Sequence, residues 1–256
     1  MTLLEQLIIF VAAGLAGAIN SIAGGGTLIS FPTLLWLGRD PILANATSTV
    51  ALWPGSFAGA VGFRRDLATA KRWLYYLAIP SLLGGIVGAI LLLRTSPATF
   101  ARLVPLLIFG ATLLFAGQEI VSRRMQGLAS AHESGSRRWI AAAFAFQFLV
   151  GIYGGYFGAG IGILMLAALG LIGMTDLHQM NGLKNVLALC INGVAAIWFI
   201  IAAAVIWVDA LVMAAGAILG GYLGAHVAHR FGRRFVRYAV VTIGLIMTIA
   251  LLRFGV

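Results

Sequence analysis

The sequence reads twice, at a fixed offset of 136 positions. Gly24 and Gly26 return as Gly160 and Gly162, Asp40 as Asp176, Asn45 as Asn181 and Val50 as Val186. Gly84-Gly85, Gly88 and Ala89 return as Gly220-Gly221, Gly224 and Ala225, so the two halves align without a net insertion. The charges break this rule. Arg64, Arg65, Lys71 and Arg72 crowd one connection of the first half, and Ile200 to Val208, its equivalent, holds no basic residue. The following connection does the reverse: Arg94 and Arg102 give way to Arg230, Arg233, Arg234 and Arg237. Arg and Lys collect in the cytoplasmic loops of membrane proteins. A unit whose basic loop changes place is therefore expected to sit upside down in its second copy.

A bilayer is the only solvent that suits the rest of the chain. It is 61% hydrophobic and 9% charged, with a mean hydropathy of +1.03, which predicts an all-α polytopic membrane protein. The net charge of +10 is explained by loops beside apolar runs, and nucleic-acid binding is not expected. The lone Cys190 excludes an intramolecular disulfide and reads as a small apolar residue. The run from Leu7 to Ile22 lacks a basic leader and carries Glu5, so it reads as a first span and not a signal peptide.

Ten apolar segments are expected, five per half: Leu3–Ala23, Thr27–Leu37, Ile42–Phe63, Leu74–Leu93 and Val104–Val121, then Trp139–Phe157, Ile161–Gly173, Gly182–Ile206, Ala210–Ala228 and Phe235–Phe254. The second of each half is short. A span needs about 20 residues, so Thr27–Leu37 and Ile161–Gly173 read as re-entrant half-helices. The domains are then a first repeat over 1–121, a cytoplasmic linker over 122–138 and an inverted repeat over 139–256. With both termini outside, twelve Arg and Lys residues fall in cytoplasmic connections, and Arg39, Arg94, Arg102 and Arg253 fall outside.

Candidate functional residues gather at the breaks. Asn20 and Ser21 precede Gly24-Gly25-Gly26-Thr27, and Gly158, Gly160 and Gly162 occupy the equivalent place. Glycine clusters free backbone polar groups, which membrane interiors tolerate only where protein or a water-filled cavity satisfies them. A helix starting after such a break aims N–H groups and a partial positive charge at that cavity. Two inverted copies would meet near the midplane as an anion site. Close helix packing is the competing reading of these glycines, and it is preferred for Gly84, Gly85, Gly88 and their mates. Asn45, Thr47, Ser48 and Thr49 open the third segment; Asn181, Lys184 and Asn185 open the eighth on one helix face, with Asn192 further along. Helix capping is the structural alternative for the two asparagines. Lys184 is the one basic residue outside loops and termini, and its charge favours an anion, although its stem could also snorkel to the interface.

The seven acidic residues all fall at segment ends or in loops, which argues against a carrier that binds cations through carboxylates. Asp40 and Asp176 read as caps, with proton coupling as a further role. No metal-ligand spacing, nucleotide loop or nucleophile–base pair appears, so neither a cofactor nor an enzyme is expected.

At these residues the chain resembles the sulfite exporter TauE/SafE family of membrane transporters. The resemblance rests on Gly24-Gly25-Gly26 before a short helix with Pro32, on Asn45–Thr49, and on the second break followed by Asn181-Gly-Leu-Lys184-Asn185, and it covers essentially the whole chain. Two features depart from it: the second break reads Gly158-Ala-Gly160-Ile-Gly162, and Ala168 stands where Pro32 recurs. The resemblance implies a bacterial inner-membrane exporter of sulfite or an organosulfonate such as sulfoacetate. Residues and resemblance together predict a secondary transporter, since inverted repeats are characteristic of that class. One repeat would rock against the other about the anion. An anion channel and a non-transporting scaffold are the rival classes. The expected partners are a small anion and the lipid bilayer, with homo-oligomerisation left open.

Overall fold

A computed structural model describes residues 2–22, 25–62, 71–131, 137–174 and 176–254. Among these there are nine helices and no strand: α1 (Leu3–Ile22), α2 (Thr27–Trp36), α3 (Pro41–Gly62), α4 (Lys71–Arg94), α5 (Pro97–Ala131), α6 (Arg137–Tyr156), α7 (Ile161–Leu171), α8 (Leu177–Ile201) and α9 (Trp207–Phe254). Apolar stretches of membrane-spanning length lie at Leu3–Asn20, Trp73–Arg94, Pro97–Gly117 and Gln179–Ile201. The protein is an all-helical polytopic membrane protein. Leu15, Leu83, Leu106 and Leu211 are exposed on its surface, where hydrocarbon would cover them.

Two expectations about boundaries and one structural alternative are corrected. The ninth and tenth predicted segments form one helical element, Trp207–Phe254, that continues through Arg230–Arg237. That stretch holds one glycine and no proline, so nothing in it breaks a helix. Its two halves still have separate neighbours: Gly216 and Gly220 lie on the α1 backbone, and Gly244 on Thr112 of α5. Next, α5 runs on to Ala131 and α6 begins at Arg137, so most of the expected linker is helical. Finally, Asn45 and Asn181 lie one turn inside their helices and do not cap them. The carboxylates one turn earlier do so: Asp40 Oδ1 accepts the N–H of Ile42 at 2.9 Å and of Leu43 at 3.1 Å, and Asp176 Oδ1 that of Gln179 at 3.3 Å.

The half-helices are as short as the sequence predicts. α2 has 10 residues and α7 has 11, about 15 Å each at 1.5 Å per residue, half of a hydrocarbon core of about 30 Å. Gly26 lies against the Ala16 backbone of α1, and Arg39, past the end of α2, pairs with Glu5 in the first turn of α1. α2 therefore starts about two thirds of the way down α1 and climbs back to the face on which α1 begins, here the N-terminal face.

Contacts between helices establish the inversion. Gly216 and Gly220 of α9 sit on the Phe10 and Gly14 carbonyls of α1, so these helices are parallel. Thr47 and Gly55 of α3 meet Ile206 and Ala217 in the same order, so α3 runs with them. Gly84 and Gly88 of α4 sit on the Phe148 and Ile152 carbonyls of α6, a second parallel pair. That pair runs the other way, because the end of α6 touches the start of α3 and the end of α4: Asn45 Nδ2 donates to the Tyr156 carbonyl at 3.0 Å, and the Tyr156 hydroxyl lies 3.3 Å from Thr95 Oγ1. α1 and its repeat mate α6 are thus antiparallel, as are α4 and the first half of α9. Each repeat also packs its first helix on the fourth helix of the other. The glycines permit this backbone-on-backbone approach, which any Cβ would prevent.

Candidate functional site

The helix breaks, α3 and α8 enclose a cavity of about 90 Å³. This is smaller than the roughly 150 Å³ cavity that takes up a benzene, and it suits a small ion. Two walls come from the two repeats. Asn20, Gly25, Thr27, Thr49, Leu52, Gly55 and Ser56 face Phe157, Gly158, Gly160, Ile161, Gly162, Lys184, Asn185, Ala188 and Asn192. Thr49 and Asn185, Leu52 and Ala188, and Ser56 and Asn192 are repeat mates, so one face of the same helix supplies both walls. The two-fold axis runs close by, because Trp53 Nε1 donates to the carbonyl of its own mate, Leu189, at 3.2 Å. With α3 and α8 antiparallel around that contact, Thr49 is level with Asn192, and Ser56 with Asn185. Two polar levels are thus separated by the apolar Leu52 and Ala188.

The breaks themselves are not equivalent. At the first, Asn20 Oδ1 accepts the N–H groups of both Gly25 and Gly26 at 2.8 Å. The side chain thereby consumes two of the donors that the break releases, while the Thr27 N–H reaches no acceptor among the described residues. The repeat mate of Asn20 is Tyr156, which has no carboxamide. At the second break the Tyr153 hydroxyl donates to the Ala159 carbonyl at 2.7 Å, leaving the donor side open. The N–H groups of Gly160 and Gly162 reach no acceptor among the described residues, and both glycines line the cavity. Gly158 and Gly160 hold φ of +79° and +76°, the left-handed region that glycine enters without steric cost.

Lys184 rises beside this second break. A Cβ on Gly162 would lie 3.1 Å from Lys184 Cδ and 3.7 Å from both Cγ and Cε, so the missing side chain leaves the lane in which the lysine stem runs. Among the described residues, no Asp or Glu lines the cavity. Open N–H dipoles, an ammonium group and the amides of Asn185 and Asn192 are the kinds of group that attract negative charge.

Several sequence candidates lie elsewhere. Asn45, Thr47 and Ser48 are buried in helix contacts: Thr47 Oγ1 accepts the Ile206 N–H at 3.0 Å, and Ser48 Oγ lies 2.7 Å from Ser30 Oγ. Of that cluster only Thr49 reaches the cavity, because a helix aims successive residues 100° apart. Gly26 and Asn181 also stand outside the lining. The side chain of Ser21, and Gly24 as a whole, fall outside the described residues. Asp40 and Asp176 cap helices, away from the cavity. Ser56 was missed, and the repeat offset could have found it by carrying Asn192 back into the first half.

On the N-terminal face Arg39 donates from Nε to Asp209 Oδ2 at 2.8 Å and lies 3.5 Å from Glu5. Asp209 is 1% exposed. Its hydrogen bond is the main reason that the Arg39 pKa is raised.

A family model for "Sulfite exporter TauE/SafE" matches residues 9–251. The chain is 30% identical to a probable membrane transporter protein of Haemophilus influenzae over 247 residues, covering 94% of this chain and 92% of the relative. It is 28% identical to the probable membrane transporter protein YfcA of Escherichia coli K12, covering 96% and 88%. A probable membrane transporter protein of a Sinorhizobium species is also 28% identical, covering 95% and 91%. No solved structure matches.

Proposed function

The chain belongs to the sulfite exporter TauE/SafE family, and from that premise we propose that it exports a small sulfur-containing oxyanion, sulfite or an organosulfonate, by alternating access. One observation carries the anion assignment: the open N–H groups of the second break share a cavity with Lys184, and among the described residues no carboxylate lines it. The anion would lie against Gly160 and Gly162, with Lys184 supplying charge and Thr49, Ser56, Asn185 and Asn192 completing its shell. Asn20 would keep the first break neutral, so that one anion, held mainly by the second repeat, occupies the cavity.

The moving parts would draw on both repeats, because α1 is packed on α9 and α4 on α6. The basic loops would face the cytoplasm of a bacterial inner membrane and both termini the outside. Asp40, half-buried, and Asp176, exposed, would serve as helix caps away from the cavity, and no coupling role is assigned to them.

The test is anion-dependent stabilisation of the purified protein, followed by flux in proteoliposomes. Sulfite or a sulfonate should raise the apparent melting temperature, and Lys184→Gln should remove both that rise and transport. Unchanged flux in Lys184→Gln would remove Lys184 from the mechanism. A wild type indifferent to every anion would refute the anion reading.

A further inference from the structure

We infer that the cavity is shut toward the N-terminal face by an aromatic plug, and that the repeat does not rebuild this gate on the opposite face. Phe157 lines the cavity and is 1% exposed. Its ring meets Phe31 of α2 edge-on, with centroids 5.4 Å apart and planes at 86°. Phe31 in turn meets Phe100 at 6.3 Å, and Phe100 meets Tyr156 at 5.6 Å, both edge-on. Phe31 and Phe100 are fully buried.

This column leads from the cavity to the N-terminal face. Phe100 lies in the first turn of α5, directly after the α4–α5 turn, where Thr95 contacts Tyr156. Phe31 sits on the half-helix that climbs to Arg39. Above the rings the Arg39–Asp209 pair ties the α2–α3 connection of the first repeat to the first turn of α9 in the second. Rings from α2, α5 and α6 thus fill the path, and a strap from α9 holds their roof. Edge-to-face rings with centroids about 4.5–7 Å apart are in favourable contact, and a hydrophobic constriction can gate ions by dewetting.

The pseudo-two-fold carries each plug position to the opposite face, where the residues are different. Phe31 maps to Ala167, Phe157 to Ser21, Phe100 to Val236 and Tyr156 to Asn20. None of these mates is aromatic, so the repeat does not reproduce these rings. The two gates are then chemically unlike, and opening the N-terminal one requires Phe31 to leave Phe157, which means moving α2 and its Arg39 connection relative to α6. This inference takes the cavity to be the solute site of the transporter reading, but its test needs no anion.

The full chain would carry Cys190→Ser, to remove the native thiol, and Thr49→Cys, to report from the cavity wall. A membrane-impermeant methanethiosulfonate is applied to vesicles of each orientation, with sidedness fixed by an epitope at the N-terminus. Labelling from the N-terminal face should be slow, and Phe31→Ala should accelerate it about tenfold or more, as expected when a closed population becomes an open one. Labelling from the opposite face should stay within about twofold. Phe31→Leu keeps an apolar side chain in place and should give a smaller rise from the N-terminal face alone; if Phe31→Ala does not fold, this variant decides. An N-terminal-face rate unchanged by loss of the ring, or already equal to that from the other face, would overturn the plug. Absence of anion binding alongside the predicted labelling would overturn the transporter reading and leave the plug standing.

Discussion

Gly162→Ala should separate function from stability. Gly162 lies in the first turn of α7, and its φ is not positive, so an alanine backbone fits. Alanine in place of glycine favours a helix by up to about 1 kcal/mol. The added Cβ meets only the Lys184 stem, at 3.1 Å to Cδ, where ordinary contact begins near 3.4 Å. The lysine must yield by a few tenths of an ångström, and it has four rotatable bonds with which to do so. The fold should therefore stay within about 1 kcal/mol of wild type. The ammonium group cannot move and keep its aim. A charge-assisted hydrogen bond contributes about 1.5–3 kcal/mol; losing half or more of it costs about 1–2 kcal/mol, a factor of roughly 5–30 in affinity. The assay is anion binding by thermal shift on purified Gly162→Ala, with its melting temperature in the absence of anion as control. Wild-type affinity would refute the role assigned to the lysine lane. A melting temperature many degrees lower would show that the contact is not soft, and would equally refute the reasoning.

Two other perturbations read the structure. Asn20→Ala should strand the Gly25 and Gly26 N–H groups and destabilise the protein by about 1–3 kcal/mol, whereas Asn20→Asp keeps the acceptor and the fold but puts a negative charge on the cavity wall, so anion binding should fail while melting does not; equal melting of the two variants would discount the cap. Asp209→Ala should cost about 1–3 kcal/mol, less than a fully buried pair because Arg39 is 22% exposed, while Glu5→Ala at the 3.5 Å contact should change stability by less than about 1 kcal/mol; denaturation of the two variants side by side checks the ranking.

The legible part of the site was the part written in periodicity. Gly25, Gly158, Gly160, Gly162, Thr49, Lys184, Asn185 and Asn192 stood out because polar or breaking residues in an apolar run need a reason, and each lines the cavity. Asn45, Thr47 and Ser48 stood out for the same reason but serve helix contacts. A buried hydroxyl satisfied by a neighbouring backbone and one facing an ion look alike in one dimension. Asn20 is the instructive case. It precedes the first break as a candidate ligand, and the fold turns its oxygen back onto Gly25 and Gly26, which makes the breaks unequal.

The sequence by itself determined the membrane, the two inverted copies and the short helices, because hydropathy, the 136-residue offset and the exchange of basic loops are properties of order along a chain. Only the tertiary structure decided that each repeat locks its first helix on the fourth of the other, that the second break keeps its donors open, and that Phe157, Phe31 and Phe100 form one column. Those facts depend on which surfaces meet. Residues as far apart as Phe31 and Phe157, or Arg39 and Asp209, carry no mark of each other until the fold brings them within a few ångströms.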